Sequence, residues 1–365
     1  MPTTNRIGLC FRTTVVLIVL CLLGGCSVQP VMTATVTGKN LQEQTDLPVI
    51  ESNQAGYEDT DSGNWNYSGR ITDNVNPGIP CRSKYHPSYA LNRWMVVEGR
   101  LDNGNRYPVV LDTGASVALF VNETHIAENK LAIYSLPSDG GNFMDFGVCH
   151  LPKLYIGELT LADSSCIYRQ QHAKVRLFGL PVAKDKAIIA GLPTLRRFKY
   201  ITFDSVREEV EFSLQKVFEP AESDSWAQYS FTIEEGLGGN AYLFVKIPVA
   251  GEETELQLDT GSGRGLAIGE EVWEKISKKI PEVKLKKGKD LYPYIGQMPC
   301  RRGVIPKLEV GGRMVKDAMI SVFPNDSPLI DEGRGLLGMQ YFRDTVMVLD
   351  FERNVMWVKN SKTDD

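Results

Sequence analysis

Two stretches of this sequence end on the same tripeptide and decide the fold: Arg106-Tyr-Pro-Val-Val-Leu-Asp112-Thr113-Gly114 and Thr254-Glu-Leu-Gln-Leu-Asp259-Thr260-Gly261. Each follows another apolar run, Val96–Leu101 in the first case and Tyr242–Val249 in the second, across a tight turn that contains glycine. The turn glycine lies eight residues before the aspartate both times. Two short apolar runs around such a turn are typical of a β-hairpin, so each aspartate is predicted to end a strand.

Two further pairs of segments repeat in the same order. Leu151-Pro-Lys-Leu-Tyr-Ile-Gly157 corresponds to Ile305-Pro-Lys-Leu-Glu-Val-Gly311, and Ala187-Ile-Ile-Ala-Gly191 corresponds to Gly335-Leu-Leu-Gly338. The interval from the aspartate to the last glycine of the second pair is 79 residues in both halves. Three matching anchors indicate a duplicated unit.

The duplication sets the domain organisation. We predict one copy over residues 81–215 and a second over residues 228–360, with a polar linker at 216–227 and a tail at 361–365. Short apolar segments broken by Gly, Pro and Asn favour an all-β fold over βαβ units. Paired strands are predicted at 200–204 with 210–212 and at 346–350 with 355–358. The clearest helix candidate spans 270–279, and weaker ones follow Gly191 and Gly338.

The N-terminus has the features of an export signal. Two arginines precede the apolar run Val15–Leu23, which is too short to span a bilayer permanently and suits a signal-peptide core. Leu23-Gly-Gly-Cys26 resembles a bacterial lipobox, which predicts a signal over residues 1–25 and a lipid on Cys26. A plain signal peptide or anchor with an incidental cysteine is the alternative. Residues 26–80 are polar and aperiodic, which predicts a flexible tether.

Composition and charge exclude some partners. The formal net charge of −5 gives no basic excess for nucleic-acid binding. The lipid on Cys26 predicts attachment to the bacterial cell envelope, and Ser27 after it resembles the pattern for outer-membrane sorting. The run Lys284-Leu-Lys-Lys-Gly-Lys289 is interpreted as a solvated loop, and Gly261-Ser-Gly-Arg-Gly265 lacks the lysine of a phosphate-binding loop.

The paired tripeptides, each with an apolar-apolar-Gly element some eighty residues later, resemble the retropepsin-like aspartic peptidases. The resemblance covers both copies, as if one retropepsin unit had been duplicated and fused. It implies two β-barrel lobes in one chain with a cleft between them. Its implied catalytic residues are Asp112 and Asp259, which would share one proton and activate water for hydrolysis of a peptide bond.

The resemblance also assigns supporting roles around the two aspartates. The hydroxyls of Thr113 and Thr260 would bond across to the opposite loop. Gly114 and Gly261 would allow the tight turns, and Gly191 and Gly338 would pack beneath the loops. Ala115 follows the first turn and Ser262 the second. Since a hydroxyl at Ser262 can bond its carboxylate, we expect Ser262→Ala to raise the lower apparent pKa of activity.

Several assignments stay open from the residues alone. Four cysteines remain after export, Cys81, Cys149, Cys166 and Cys300, and they allow one disulfide between Cys149 and Cys300 or two that include the other pair. The aromatic residues Phe143, Phe146, Tyr292 and Tyr294 lie where this family places its substrate-covering flap, and core packing accounts for them equally well. The cysteine and histidine spacings predict no metal site, and no cofactor is expected.

We therefore expect a membrane-tethered aspartic endopeptidase that acts on polypeptides as a monomer. The alternative is an exported peptide-binding or scaffold lipoprotein of the same fold without turnover. A third arrangement has the halves dimerise between chains. Both complete tripeptides argue against a pure binder, because two facing carboxylates that repel each other serve no binding purpose.

Overall fold

The computed structural model describes residues 27–30, 49–51, 70–73, 78–131, 133–135, 147–168, 173–177, 180–184, 186–221, 225–236, 240–280, 283–292, 296–327, 329–330 and 334–360. The predicted signal at 1–25, Cys26 and the tail at 361–365 lie outside these residues. None of the helices described is long and apolar enough to cross a bilayer.

The protein is mostly β. The first fifteen strands are β1 (Ser27–Pro30), β2 (Val49–Glu51), β3 (Arg70–Asp73), β4 (Cys81–Lys84), β5 (Val96–Leu101), β6 (Arg106–Asp112), β7 (Leu119–Val121), β8 (Ile133–Ser135), β9 (Gly147–Ile156), β10 (Leu159–Tyr168), β11 (Ala173–Leu177), β12 (Leu180–Lys184), β13 (Ile188–Gly191), β14 (Tyr200–Asp204) and β15 (Glu209–Ser213). The remaining ten are β16 (Ala227–Glu235), β17 (Ala241–Val249), β18 (Glu252–Asp259), β19 (Leu266–Gly269), β20 (Lys286–Tyr292), β21 (Gly296–Val310), β22 (Arg313–Phe323), β23 (Gly335–Gly338), β24 (Thr345–Asp350) and β25 (Val355–Asn360).

Helices are short and few among the described residues. They are α1 (Tyr89–Asn92), α2 (Glu123–Asn129), α3 (Leu192–Leu195), α4 (Glu270–Ser277) and a 3-10 helix (Met339–Phe342). The predicted helix at 270–279 is present as α4, which buries Trp273 and Ile276. Its first turn carries Glu270 and Glu271, whose charges suit the positive end of the helix dipole. The all-β class predicted from the sequence is confirmed.

Each half closes a ring of six strands. In the first half the order is β9-β5-β6-β13-β7-β10, and β10 pairs back with β9. In the second half the order is β21-β22-β19-β23-β18-β17, and β17 pairs back with β21 at Val249 and Val310. Equivalent strands occupy equivalent places, which is the structural counterpart of the sequence repeat.

The two halves share one sheet. Strands β14 and β15 of the first half continue into β24, β25 and β16 of the second, with Tyr200 opposite Asp350 and Phe203 opposite Met347. Phe203, Met347 and Leu349 are fully buried and belong to one hydrophobic core that includes residues of both halves. Burial of apolar side chains in a core that both halves share holds the two halves together.

The segment predicted as a flexible tether is paired with the first half in three places. It contributes three short strands that pair with the first half: β1 with β11, β2 with β8, and β3 with β10. Such strands are held by backbone hydrogen bonds to the edge of an existing sheet. They therefore need no apolar periodicity, and the sequence pattern does not predict them.

Candidate active site

Parallel strand pairs place the two aspartates. Asp112 ends β6 and lies opposite Gly191 of β13, and Asp259 ends β18 and lies opposite Gly338 of β23. The chain leaves each strand through its Asp-Thr-Gly turn. The residue pairs that the sequence repeat matched at an interval of 79 are therefore direct neighbours across a sheet.

The threonines join the two turns through four hydrogen bonds. The Thr113 hydroxyl donates to the carbonyl of Leu258 at 2.6 Å and accepts from the Thr260 amide at 3.1 Å. Reciprocally, the Thr260 hydroxyl donates to the carbonyl of Leu111 at 2.6 Å and accepts from the Thr113 amide at 2.9 Å. Both side chains are fully buried, so water does not compete with these bonds.

The two carboxyl groups face the opposite turns at close range. A Cβ atom at Gly114 would lie 2.8 Å from the carboxyl carbon of Asp259, and one at Gly261 would lie 2.3 Å from that of Asp112. Only glycine leaves room for this approach. The Gly114 amide donates to Oδ1 of Asp112 at 2.8 Å and the Ala115 amide at 3.2 Å, which fixes that carboxylate in place.

The electrostatics of the pair favour a shared proton. Burial raises the pKa of Asp112. Burial and then the negative charge of Asp112 raise the pKa of Asp259 well above its ordinary range. Because the groups are coupled, the proton belongs to the pair and is retained to higher pH than by two isolated aspartates.

Gly191 and Gly338 support the turns from below. A Cβ at Gly191 would meet the carbonyl oxygens of Val117 at 1.9 Å and Ala115 at 2.6 Å, and one at Gly338 would meet that of Arg264 at 2.4 Å. The next residues bond to the same turns, with the Leu192 amide on the Ala115 carbonyl and the Met339 amide on the Ser262 carbonyl.

The expectation for Ser262 needs correction. Its hydroxyl accepts from the Arg264 amide at 3.3 Å, and it is the backbone amide of Ser262 that bonds Asp259. Ala115 uses its amide in the same way. The two turns thus treat their carboxylates alike, and the structure removes the reason to expect a pKa change in Ser262→Ala.

A cavity of about 720 Å³ opens beside the second turn. Ser262 and Arg264 line it together with residues of β20, including Asp290 and Tyr292. The interpretation of 284–289 as a solvated loop is wrong for its greater part, because β20 begins at Lys286, and the run borders this cavity. Burial, followed by the charge of Asp290, raises the pKa of Tyr292, and Asp259 contributes in the same direction, so this tyrosine stays protonated.

Asp290 is a residue of this cavity that no motif in the sequence indicates. A single aspartate directly after a lysine-rich run has no distinguishing spacing. Of the four aromatic residues at the predicted flap positions, Tyr292 is described and contacts Phe323 with ring centroids 6.1 Å apart. Phe143, Phe146 and Tyr294 lie outside the described residues.

The four cysteines that could form disulfides are buried, and none of them is in a disulfide. Cys149 on β9 lies opposite Cys166 on β10 in an antiparallel pair. Cys300 lies on β21, opposite Gly288, in a different sheet from Cys149. This position does not fit a disulfide between Cys300 and Cys149. Within the described part of the chain, no group of three or more His, Cys, Asp or Glu side chains is arranged to hold a metal ion.

Comparisons with known proteins add little to this geometry. No protein-family model matches the chain, and no curated protein matches it. Among solved structures it is similar to the crystal structure of basic 7S globulin from soybean, with 12% sequence identity and a TM-score of 0.38. The match covers 80% of this chain and 95% of the globulin chain. A similarity at that score has no bearing on the chemistry of the site.

Proposed function

We propose that this chain is an aspartic endopeptidase built from two retropepsin-like lobes, with the substrate cleft between them. The observation that carries the proposal is the meeting of Asp112 and Asp259 on two equivalent turns. The four threonine bonds hold these turns together, and glycine is the one residue that leaves room for the carboxylates. A site used for binding alone gains nothing from burying two repelling carboxylates.

The reaction follows from one proton shared by two carboxyl groups. The ionised carboxylate takes a proton from water, and the water oxygen bonds to the carbonyl carbon of the substrate. At the same time the protonated carboxyl gives its proton to the carbonyl oxygen, forming a neutral tetrahedral diol. The dyad then gives a proton to the amide nitrogen while its ionised carboxylate takes one from a hydroxyl of the diol. The C–N bond breaks, an amine and a carboxylic acid are released, and the dyad again holds one shared proton.

The sequence also supports proposals about membrane attachment and oligomeric state. The lipobox-like Leu23-Gly-Gly-Cys26 supports a lipid anchor in the bacterial cell envelope, at the outer membrane. Two aspartates from one chain support a monomeric enzyme. Since β1, β2 and β3 pair with the first half, the anchor would hold the enzyme closer to the membrane than a free tether of residues 26–80 would.

The test is proteolysis by the full chain in detergent. Cleavage of an unfolded, carboxymethylated protein is followed between pH 3 and pH 7 for the wild type, Asp112→Asn and Asp259→Asn. Asp102→Asn is the matched control, because Asp102 is an exposed aspartate that accepts a surface hydrogen bond from Tyr155. General acid and base catalysis is typically worth about 100- to 10,000-fold, so each dyad variant should lose at least ~100-fold.

Retention of activity in either dyad variant would contradict the shared site. A folded wild type that cleaves nothing at any pH would favour the binding lipoprotein. Sedimentation of the active species distinguishes the monomer from a dimer in which halves of different chains pair.

A further inference from the structure

The cavity beside the second catalytic turn has an unusual charge. Its lining includes five cationic side chains and one carboxylate: Arg264, Lys284, Lys286, Lys287, Arg302 and Asp290. Five positive charges and one negative charge leave a formal excess of +4, in a chain whose net charge is −5. The positive charge is therefore concentrated at this place against the overall sign of the protein.

Asp290 positions two of the cations. It is buried, and its Oδ1 lies 2.5 Å from Nη1 of Arg264 and 3.1 Å from Nε of Arg302, while the Ser321 hydroxyl donates to its other oxygen. The two arginine side chains are 40% and 49% exposed. A guanidinium has five N–H donors, so both keep donors for a ligand after contacting one carboxylate oxygen.

The strands crowd like charges against each other. Lys286 lies directly opposite Arg302 in the pairing of β20 with β21. Gly288 gives Arg302 space to lie along the strand toward Asp290, since a Cβ there would be 2.8 Å from the Arg302 Cδ atom. Like charges directly opposite destabilise a sheet. Among the described residues no carboxylate forms an ion pair with Lys284, Lys286 or Lys287, so a bound anion would relieve this repulsion.

The cavity is continuous with the catalytic turn. Ser262 lines it, and the amide of Ser262 bonds Asp259. Apolar side chains complete the lining, namely Leu266, Ile320 and Leu336, and they suit the methylene groups of a side chain. The equivalent position to Arg264, five residues after the first aspartate, is Val117. The charge of Arg264 therefore has no counterpart at the matching position of the first half.

We propose that this cavity is a subsite for an acidic side chain of the polypeptide, so that cleavage occurs close to a glutamate or aspartate. The inference rests on the proposed function and specifies its substrate class. A carboxylate would accept charge-assisted hydrogen bonds from Arg264 and Arg302, while its stem contacts the apolar lining. Because this basic cavity lies beside the second turn, the acidic residue would also fix the direction in which the peptide binds.

The experiment uses pairs of decapeptides that are identical except for one Glu or Gln, with that residue moved through the ten positions. The measured quantity is the Glu:Gln ratio of kcat/KM for the full chain in detergent at pH 5 to 6, where glutamate is ionised. We expect a ratio of about 10 or more at one position on one side of the scissile bond, because charge-assisted bonds are roughly twice as strong as neutral ones. The ratio should decrease with added salt.

Three variants test the residues. Arg302→Gln should reduce the Glu:Gln ratio of kcat/KM toward 1. Lys286→Glu should also lower this ratio, and it should increase kcat/KM for a peptide with Lys at the same position. Arg301→Gln is the matched control, since Arg301 is the next residue on the strand, lies outside the cavity lining and pairs with Glu270. Its ratio should equal that of the wild type.

The outcomes separate this inference from the proposed function. Cleavage that needs both aspartates but has a ratio near 1 at every position would overturn the subsite and leave the peptidase intact. If the wild type cleaves no peptide, the proposed function fails. Binding of the same peptides, labelled with a neutral dye and followed by fluorescence anisotropy, then tests whether the cavity binds an acidic side chain. Tighter binding of Glu peptides that Arg302→Gln abolishes would support it, and equal binding of Glu and Gln peptides would overturn it.

Discussion

At the scale of single residues, the hydroxyls of Thr113 and Thr260 hold the two catalytic turns together. Each hydroxyl both donates and accepts, and both of its partners are backbone atoms of the other half. The bonds are buried, and they involve the residues directly before and after each aspartate. The position of the dyad therefore depends on two hydroxyl groups.

Replacement of Thr113 by valine removes one of these hydroxyls at nearly constant volume. The carbonyl of Leu258 and the amide of Thr260 lose their partner inside the protein. A buried unsatisfied polar group costs about 1–3 kcal/mol. We expect Thr113→Val to lower the free energy of unfolding by roughly 2–5 kcal/mol and to reduce kcat, measured by urea denaturation and peptide cleavage. Thr113→Ser keeps the hydroxyl and should preserve most of both quantities. Equal stability and activity in the two variants would mean that the bonds do not hold the dyad.

At the scale of elements, β13 and β23 act as supports for the catalytic turns. Gly191→Ala places a methyl group 1.9 Å from the Val117 carbonyl oxygen, and that oxygen belongs to backbone that cannot rotate away. We expect a loss of at least ~10-fold in kcat/KM, in line with the effect of small displacements of reacting groups, and a lower melting temperature. The control is Gly236→Ala, where the added methyl meets the ring edge of Tyr242 at 3.3 Å. A Gly191→Ala enzyme with wild-type activity would show that the turn tolerates displacement.

The β9–β10 pair places two cysteines where they can form a disulfide. Cys149 and Cys166 are opposite each other, and burial, followed by the nearby Cys149 thiol, raises the pKa of Cys166 well above its ordinary value. Under oxidising conditions we expect these two to form a disulfide, while Cys81 and Cys300 remain thiols. A loop of this length gains roughly 3 kcal/mol of stability. Mass mapping without reduction identifies the bridge, and Cys149→Ser with Cys166→Ser should lose the stabilisation. A mapped bridge that involves Cys300 would contradict the strand register.

The sequence could predict elements that combine apolar periodicity with a turn signal. The hairpin β5–β6 around Gly104 and the helix α4 meet that condition. Strands β1 to β3 and β20 do not, because they are short or contain a run of lysines, and backbone pairing with an existing edge holds them. The helix α2 was also missed, although Asn122 caps it and His125 completes a capping box.

At the scale of the whole molecule, the repeat predicted two similar halves but not how they join. The meeting of the two Asp-Thr-Gly turns followed from the resemblance, and the sheet that runs from β14 into β24 had no signal in the sequence. Its pairing depends on two strands about 145 residues apart, and strand patterns carry no information about distant partners. The basic cavity was missed for the same reason, since Arg264 and Asp290 meet only after β20 folds over the second turn.

The stability of the whole molecule should depend on pH through two opposing groups. His125 is buried, accepts from the Asn122 amide and lies 3.0 Å from the Lys186 carbonyl oxygen. Burial lowers its pKa from 6.5 to about 4, so its contribution is complete above pH 6.5 and is lost as the pH falls toward 4. The loss amounts to about 3 kcal/mol. The dyad acts oppositely, because its raised pKa makes its contribution favourable at low pH and unfavourable as the pH rises.

Melting temperatures between pH 4 and pH 7 separate the two contributions. Asp259→Asn removes the buried negative charge, so its gain in stability over the wild type should be largest at pH 7 and should shrink toward pH 4. His125→Gln removes the titrating ring, so its loss relative to the wild type should also be largest at pH 7 and shrink toward pH 4, as the wild-type histidine becomes protonated. Curves parallel to that of the wild type would show that neither group sets the pH dependence. If both differences appear, acid conditions that favour the protonated dyad also weaken the first half around α2, and the pH range of the enzyme is limited by folding at its acid end and by the dyad at its alkaline end.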